Sequence, residues 1–238
     1  QQLDLLLEKE RVALLTNFVR DASHEFRTPL AIINTKIYLL RRMIALERSK
    51  AHLDEMQSQS DNILKLVTSL VTLTQLESGT TLNISSEPLS TLLTIAHDAL
   101  SPQIAAKAIH VNTHIAADMP DVEVDVEQFL EAVQQVLGNT IRFSECNSWI
   151  WINATHDSGV VEITIRDEGI GIAAADHPKV FERFWRGDTA HTTRGLGLGL
   201  PIALKVFQAH GGDITFTSTE GQGSTFILVF PARQSTTV

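Results

Sequence analysis

The 238-residue sequence has a single cysteine, few basic residues and no long apolar run. With Cys146 alone, no internal disulfide can form, which indicates a reducing compartment. The 19 basic residues are outnumbered by 28 acidic ones, and the net charge of −9 argues against nucleic-acid binding as the main function. A membrane-spanning helix needs about 18 consecutive apolar residues, and no stretch reaches that length. The hydrophobic content of 43% predicts a folded globular chain.

Glycine is almost absent from the first third of the chain, where only Gly79 precedes Gly138. Such a stretch favours long helices. Apolar residues there recur at steps of seven, four and three, which is the heptad seam of packed helices. The first seam comprises Val19, Phe26, Leu30, Ile33, Ile37, Leu40 and Ile44. The second comprises Leu53, Met56, Ile63, Val67 and Leu70, and the Ser78-Gly79 pair after it is a helix stop.

The two seams predict an antiparallel helical hairpin over residues 13–79, with a turn near 47–51 and an upstream helical linker over 1–12. Two helices cannot bury a core alone, so the hairpin needs a second copy. A homodimeric four-helix bundle is the simplest solution. A coiled-coil spacer that only dimerises the chain is the alternative that this region by itself leaves open.

Residues 80–234 have a different pattern, in which short alternating segments and turns replace long helices. We predict two strands, 150–156 and 160–166, joined by a turn at Asp157-Ser158-Gly159. Further elements are predicted as helices over 127–143 and 200–210 and as strands over 213–218 and 224–230. The mixture indicates an α+β fold, an α/β sandwich whose mixed sheet is covered by helices on one face, followed by a tail over 235–238.

Two glycine-rich segments in this half have residues suited to binding a nucleotide. Gly195, Gly197 and Gly199 directly precede a helix that has Pro201 in its first turn, and such a helix start is a ready phosphate site. The segment 167–171 follows a strand. There the carboxylate of Asp167 could accept a hydrogen bond from an exocyclic amine and so select adenine over guanine. Each segment alone has an ordinary explanation as a turn.

Two further segments support the same interpretation. On the helix over 127–143, Asn139 offers an amide oxygen to a hard cation such as Mg²⁺. Arg142, near the next turn, could reach phosphate oxygens. Phe181 lies beside a polar, glycine-tipped stretch over 187–193, which is typical of a movable lid.

In order and spacing these segments resemble the catalytic, ATP-binding domain of histidine kinases, within the fold shared with gyrase. Residues 139–144 are similar to its N box, 167–171 to its G1 box, 181–185 to its F box and 195–199 to its G2 box, and 223–225 to a further glycine-threonine element. The resemblance implies that ATP and Mg²⁺ are bound by Asn139, Arg142, Phe143, Asp167, Gly169, Gly171, Phe181, Arg183, Gly195, Leu196, Gly197, Leu198, Gly199 and Thr225, with Asn139 as the metal ligand. Gln135 stands where the family commonly has asparagine, and Thr140 where it has alanine.

His24 lies in a segment that is similar to the H box of the dimerisation and histidine-phosphotransfer domain. It is two positions from the seam residue Phe26, about 200° round a helix of 3.6 residues per turn, so its side chain is expected to face solvent. An imidazole nitrogen is largely unprotonated near neutral pH and can attack phosphorus. Glu25 can accept the N–H of the other ring nitrogen, and Thr28 shares the face of His24. The eight other histidines have no such context.

The resemblance implies a sensor histidine kinase. ATP would phosphorylate His24, and the phosphoryl group would pass to an aspartate of a response regulator. The Glu25 and Thr28 pair also matches a pattern associated with dephosphorylating that regulator, so a second activity is expected. The chain begins at Gln1 without an initiator methionine, so we expect a fragment of a longer protein. The resemblance implies that this fragment is the cytoplasmic portion of a membrane-anchored sensor. The alternatives are a related ATPase or clamp, and a non-catalytic dimeric signalling scaffold.

Overall fold

The computed structural model describes residues 30, 31, 33–35, 37, 38, 47–77, 81–183, 185, 187 and 197–233. The chain divides into two compact units, Gln1–Thr80 and Thr81–Val238. No helix in these described ranges is long and apolar enough to cross a membrane.

The first unit contains a 31-residue helix, α1, which spans Glu47–Glu77. The described residues between 30 and 38 are helical as well. The turn predicted near 47–51 is therefore wrong, because residues 47–51 already belong to α1 and lack any glycine or proline that would interrupt a helix. Of the predicted seam, Ile37 and Leu53 are buried, whereas Ile33 and Ile63 are each nearly half exposed.

In the second unit, five strands form a mixed sheet in the order β2-β4-β5-β7-β6 within the part of the chain that the structure describes. The strands are β2 (His110–Ile115), β4 (Trp149–Asp157), β5 (Val160–Asp167), β6 (Asp213–Thr219) and β7 (Gly223–Pro231). The β2–β4 pair is parallel and the other pairs are antiparallel. The predicted α+β class with a mixed sheet is thus confirmed.

Several elements of this unit were not predicted. Strands β1 (Ile84–Pro88) and β3 (Asp121–Asp125) form a separate antiparallel pair, and helix α2 (Leu89–Ala106) connects β1 to β2. Helices α3 (Val126–Phe143) and α4 (Gly199–Ala209) lie close to the predicted bounds. A 3₁₀ helix over Ala174–Lys179 completes the described elements of the unit.

The core lies between the helices and one face of the sheet. On β5, Val161, Ile163 and Ile165 are fully buried while Glu162 and Arg166 are exposed, as the alternating sequence predicted. Phe129 of α3, Phe207 of α4 and Phe230 of β7 form a cluster with ring centroids 5.2 to 5.6 Å apart. Helices α3 and α4 therefore pack directly against this face of the sheet.

The turn between β4 and β5 lies where the sequence predicted a hairpin. Ser158 and Gly159 form a two-residue loop, with φ angles of 52° and 83°. Two consecutive positive φ angles are those of a type I′ hairpin, whose twist matches that of the flanking strands. The predicted hairpin is confirmed.

A buried histidine joins the end of α4 to the start of α3. His210 is 1% exposed, and its Nε2 accepts the backbone N–H of Asp125 at 2.9 Å while Nδ1 lies 2.8 Å from Val206 O. These partners define a neutral ring that donates from Nδ1. Burial lowers the pKa of His210, and this effect is opposed by the hydrogen bond to Val206 and by the charge of Asp125. The Asp125 carboxylate itself caps α3 through Gln128 N.

The lowered pKa predicts that acid destabilises the second unit. Below the ordinary histidine pKa of about 6.5, the unfolded chain binds a proton at this site that the folded chain resists. We expect the free energy of unfolding to fall below pH 6.5 by up to about 1.4 kcal/mol per pH unit through His210 alone. The three tryptophans all belong to residues 149–185, so their fluorescence during denaturant titration follows this unit.

The control is His210→Gln, which keeps a polar side chain but cannot titrate. The free energy of unfolding is measured against pH for both proteins. The difference between the two pH profiles isolates the contribution of His210 from that of the other histidines. If the two profiles ran parallel from pH 8 to pH 5.5, the buried neutral histidine would not be the cause of acid sensitivity.

Candidate functional site

Asp167, at the end of β5, is a buried carboxylate fixed by two backbone amides. It is 4% exposed, and its Oδ1 accepts Gly169 N at 2.8 Å and Ser224 N at 3.1 Å. Burial raises the pKa of Asp167, and the two hydrogen bonds act in the opposite direction. Both described donors converge on Oδ1, so Oδ2 of the same carboxylate is available to a third donor. A buried carboxylate with a perturbed pKa at a strand end is a typical feature of a binding site.

The turn after Asp167 is packed so closely that only glycine fits. A side chain at Gly169 would overlap the carbonyl of Phe143, and one at Gly171 would overlap the carbonyl of Thr219. Gly171 also has a φ of 66°, in the left-handed region that favours glycine. Ile170 N donates to Phe143 O at 3.3 Å, which ties this turn to the end of α3. The predicted Asp167 and Asn139 segments are therefore neighbours.

On the other side, the turn is joined to the β6–β7 hairpin by two serines. Ser218 Oγ accepts Ile172 N at 2.8 Å and lies 3.0 Å from Ser224 Oγ. Ser224 and Phe226 lie on the buried face of β7, whereas Thr225 lies on the opposite face. The structure therefore does not bring Thr225 to Asp167. Ser224 is the neighbour of Asp167, and the nucleotide contact of Thr225 stays a prediction.

Helix α3 forms another wall of the site. Asn139 and Phe143 are half-buried and Arg142 is exposed, all in its last two turns. Thr140, which stands where an alanine was expected, is 1% exposed, and its hydroxyl is buried with no hydrogen-bond partner among the described residues. Asn139 thus presents an amide at the end of a helix whose core face is fully packed.

The described part of the second glycine-rich segment meets α3 at Gln135. Gly197 has a φ of 67°, Leu198 is 1% exposed, and Gly199 is the first residue of α4. A side chain at Gly199 would overlap Gln135 Oε1. The longer amide at position 135 therefore reaches the start of α4, and the Leu198 side chain belongs to the core, so only its backbone is available to a ligand.

Phe181 anchors the segment that follows the 3₁₀ helix. Its ring packs edge-on against Phe216 of β6 with centroids 5.8 Å apart, and His177 packs against the same ring at 5.1 Å. His177 Nε2 also lies 3.1 Å from Ile172 O. Arg183, two residues on from Phe181, is exposed. Phe181 and His177 thus lie against β6, beside the turn that follows Asp167, and residues 188–193 of the predicted lid lie outside the described residues.

The structure thus brings together, around the end of β5, all the described segments that the sequence singled out for nucleotide binding. Residues 139–143 of α3, the turn after Asp167 and the start of α4 share one site. Asp167 Oδ2 and Asn139 offer polar side-chain groups, while the start of α4 offers backbone N–H donors. Five predicted site residues, His24, Glu25, Thr28, Gly195 and Leu196, lie outside the described residues.

A divalent cation at this site would depend on few protein ligands. No group of three or more His, Cys, Asp or Glu side chains within the described ranges could hold a metal ion. The donor chemistry nevertheless fits Mg²⁺, which keeps several waters and is commonly bound by one or two protein oxygens together with substrate phosphates. The amide oxygen of Asn139 is an oxygen of the kind that such a site uses.

Two family models match the chain. Residues 14–79 match the model described as "His Kinase A (phospho-acceptor) domain". Residues 124–234 match the model described as "Histidine kinase-, DNA gyrase B-, and HSP90-like ATPase". The first match falls on the unit that the sequence predicted as a helical hairpin, and the second falls on the part of the other unit that contains Asp167.

Curated relatives include three bacterial sensor proteins. The sensor histidine kinase WalK of Bacillus subtilis is 30% identical, over 91% of this chain and 36% of WalK. The signal transduction histidine-protein kinase BarA of Escherichia coli is 31% identical, over 95% and 26%. ArlS of Staphylococcus aureus, another signal transduction histidine-protein kinase, is 32% identical, over 90% and 48%. The chain therefore spans less than half of the length of each of these relatives.

Solved structures have the same fold. Full-length ShkA, crystallised in complex with AMPPNP, superposes with a TM-score of 0.80 at 24% identity, over 92% of this chain and 46% of ShkA. The Acinetobacter baumannii histidine kinase AdeS superposes with a TM-score of 0.65 at 21% identity, over 88% of this chain and 98% of AdeS. At these identities the likeness concerns the fold.

Proposed function

Because the chain belongs to the sensor histidine kinases of two-component systems, we propose that it transfers the γ-phosphoryl group of ATP to His24. The phosphoryl group then passes to an aspartate of a response regulator. The observation that carries this proposal is the buried Asp167 carboxylate, held by two backbone amides with Oδ2 available to one more donor. The exocyclic amine of adenine is a donor of the required kind.

The second unit binds the nucleotide in this proposal. Asp167 Oδ2 accepts the adenine amine, and the glycine turn over 169–171 lets the base approach the backbone. Arg142 and the N–H groups around Gly197 and Gly199 meet phosphate oxygens. Asn139 would hold Mg²⁺, and the charge of the ion would neutralise the phosphate groups of the nucleotide.

The transfer step places the γ-phosphorus in line with one ring nitrogen of His24. The new phosphorus–nitrogen bond forms as the bond to the leaving oxygen of ADP breaks, so the step needs mainly positioning and charge neutralisation. Glu25 accepts the N–H of the other ring nitrogen and fixes the nucleophilic tautomer. Both residues belong to the first unit and the nucleotide site to the second, so the transfer step requires residues of both units.

Labelling with γ-labelled ATP tests the function directly. A phosphohistidine loses its label in acid and keeps it in alkali, so the chain should acquire label with that stability. Release of free phosphate without label on the protein would instead identify an ATPase or clamp. A chain that neither binds nucleotide nor acquires label would be a scaffold.

In this proposal the chain acts as a homodimer. The exposed Ile33 and Ile63 belong to the two predicted seams, and a second copy in a four-helix bundle would cover them. The response regulator docks on that bundle close to His24. The location in this proposal is the cytoplasm, with membrane anchoring supplied by segments outside this chain.

We further propose that the same site dephosphorylates the regulator. Thr28 orients the hydrolytic water, so Thr28→Ala should slow regulator dephosphorylation by about 100-fold, the order that is lost when a reactant is misplaced. Autophosphorylation of His24 should be unchanged, because Thr28 takes no part in that step. The measurement is the decay of separately phosphorylated regulator in the presence of the chain and ADP.

Thr94→Ala is the matched control, since Thr94 is an exposed threonine of α2 whose hydroxyl donates to Ser90 O of its own helix. It should leave both activities unchanged. Undiminished dephosphorylation by Thr28→Ala would contradict the second activity and leave the kinase proposal intact.

A further inference from the structure

Lys107 lies just after α2, in a part of the second unit that carries no nucleotide-binding segment. Its ammonium nevertheless donates to three backbone carbonyls at the end of α3. The distances from Nζ are 3.0 Å to Ile141 O, 2.6 Å to Arg142 O and 2.8 Å to Ser144 O. A lysine ammonium has three donors, so all three are used on one helix terminus.

These contacts complete the hydrogen bonding of the α3 terminus. The last four carbonyls of a helix have no partner within the helix. In α3, Thr140 O accepts Ser144 N, Phe143 O accepts Ile170 N, and the two carbonyls between them are bound by Lys107. A cation at a helix C-terminus also interacts favourably with the helix dipole.

The backbone of Lys107 is held in place as well. Lys107 N donates to Ile104 O at 3.3 Å, and Lys107 O accepts Asn147 N at 3.0 Å. The main chain and the side chain of Lys107 therefore connect the end of α2 to the α3 terminus and to Asn147, which follows that terminus in the sequence. This connection makes Lys107 a rigid link rather than a flexible surface side chain.

The terminus that Lys107 holds is a wall of the nucleotide site. It carries Arg142, and its last carbonyl, Phe143 O, contacts the turn over 169–171 that follows Asp167. We propose that Lys107 is a positioning residue of this site, which fixes the end of α3 relative to the Asp167 carboxylate. This proposal rests on the nucleotide-binding function proposed above.

The physical reason concerns preorganisation. A nucleotide that contacts Asp167 at one end and residues 139–142 at the other requires a fixed spacing between these groups. Without the ammonium, two helix carbonyls must find water, and the last turn of α3 gains freedom that binding must remove. Loss of Lys107 should therefore lower the affinity for the nucleotide more than loss of a distant surface lysine does.

The test is calorimetric titration of the whole chain with AMPPNP and Mg²⁺, for Lys107→Met, Lys107→Gln and Lys107→Arg. We expect about tenfold weaker binding for Lys107→Met, an intermediate loss for Lys107→Gln, and recovery to near wild-type affinity for Lys107→Arg, which keeps the charge and several donors. Titrations are run at a temperature at which circular dichroism finds each variant folded. Lys65→Met, which removes an exposed lysine of α1, is the matched control and should bind as the wild type does.

A merely structural lysine would lower the unfolding temperature and leave the dissociation constant of the folded chain within twofold. That result for Lys107→Met would overturn the proposal, as would failure of Lys107→Arg to recover affinity. If Lys107→Met did not fold, the order of Lys107→Gln and Lys107→Arg would decide in the same way. Absence of binding by the wild-type chain would instead contradict the proposed function itself.

Discussion

His24→Gln is expected to remove all labelling of the chain by γ-labelled ATP, a fall of about three orders of magnitude or more. Loss of the nucleophile removes the covalent step itself, and such losses are among the largest that single substitutions cause. Glutamine keeps a polar side chain of similar size but has no nitrogen lone pair that can attack phosphorus. The measurement is the rate of label incorporation under alkaline quench.

Two controls distinguish a lost acceptor from a lost fold. The variant should bind AMPPNP and Mg²⁺ with wild-type affinity, because the nucleotide site belongs to the other unit. His97→Gln removes a partly exposed histidine of α2 that interacts with the adjacent Asp98, and its labelling should be normal. Alkali-stable label on His24→Gln would assign the acceptor to another histidine and contradict the proposed mechanism.

The sequence predicted the sheet best where one face of a strand is buried against helices. The predicted strand over 160–166 corresponds to Val160–Asp167, because burial of alternate residues imposes a period of two. The β2 strand was not predicted. Its first five residues, His110 to His114, are mostly polar, and only two of its six positions are even partly buried. Without a buried face, there is no alternation to detect.

The sequence singled out segments that the fold makes neighbours, but it did not show which side chain of a strand faces Asp167. The family resemblance pointed to 223–225, yet successive side chains of a strand face opposite sides, so a shift of one residue exchanges Thr225 for Ser224. The role that we propose for Lys107 could not have been predicted from the sequence. Its carbonyl partners are 34, 35 and 37 residues away in the sequence. A lysine after a helix is ordinarily solvated, and only the fold brings it to another helix terminus.

Asp167→Asn is expected to weaken nucleotide binding by about 10- to 100-fold, the equivalent of losing a hydrogen bond to a charged group. The asparagine Oδ1 can still accept Gly169 N and Ser224 N, but an N–H donor replaces Oδ2 and faces the donor of adenine. Titration with AMPPNP and Mg²⁺ measures the loss. Asp118→Asn, at an exposed aspartate, is the matched control and should bind normally.

The same variant should be at least as stable as the wild type. Because the pKa of Asp167 is raised by burial, the folded chain holds this proton more tightly than the unfolded chain does. That gain is present below the unfolded pKa and is lost as pH rises through the folded pKa, so at neutral pH the ionised carboxylate costs stability. Asp167→Ala should behave differently, since it leaves two buried N–H groups without an acceptor, at about 1 to 3 kcal/mol each.

Base selectivity gives the sharpest distinction between a binding role and a structural role for Asp167. A carboxylate oxygen accepts from the adenine amine and repels the carbonyl oxygen that guanine carries at that position, whereas an amide N–H does the reverse. Asp167→Asn should therefore narrow the preference for ATP over GTP in competition titrations as well as lower the affinity for ATP. An equal loss for both nucleotides would mean that Asp167 only shapes the turn over 169–171, and the adenine contact would have to be assigned to another group.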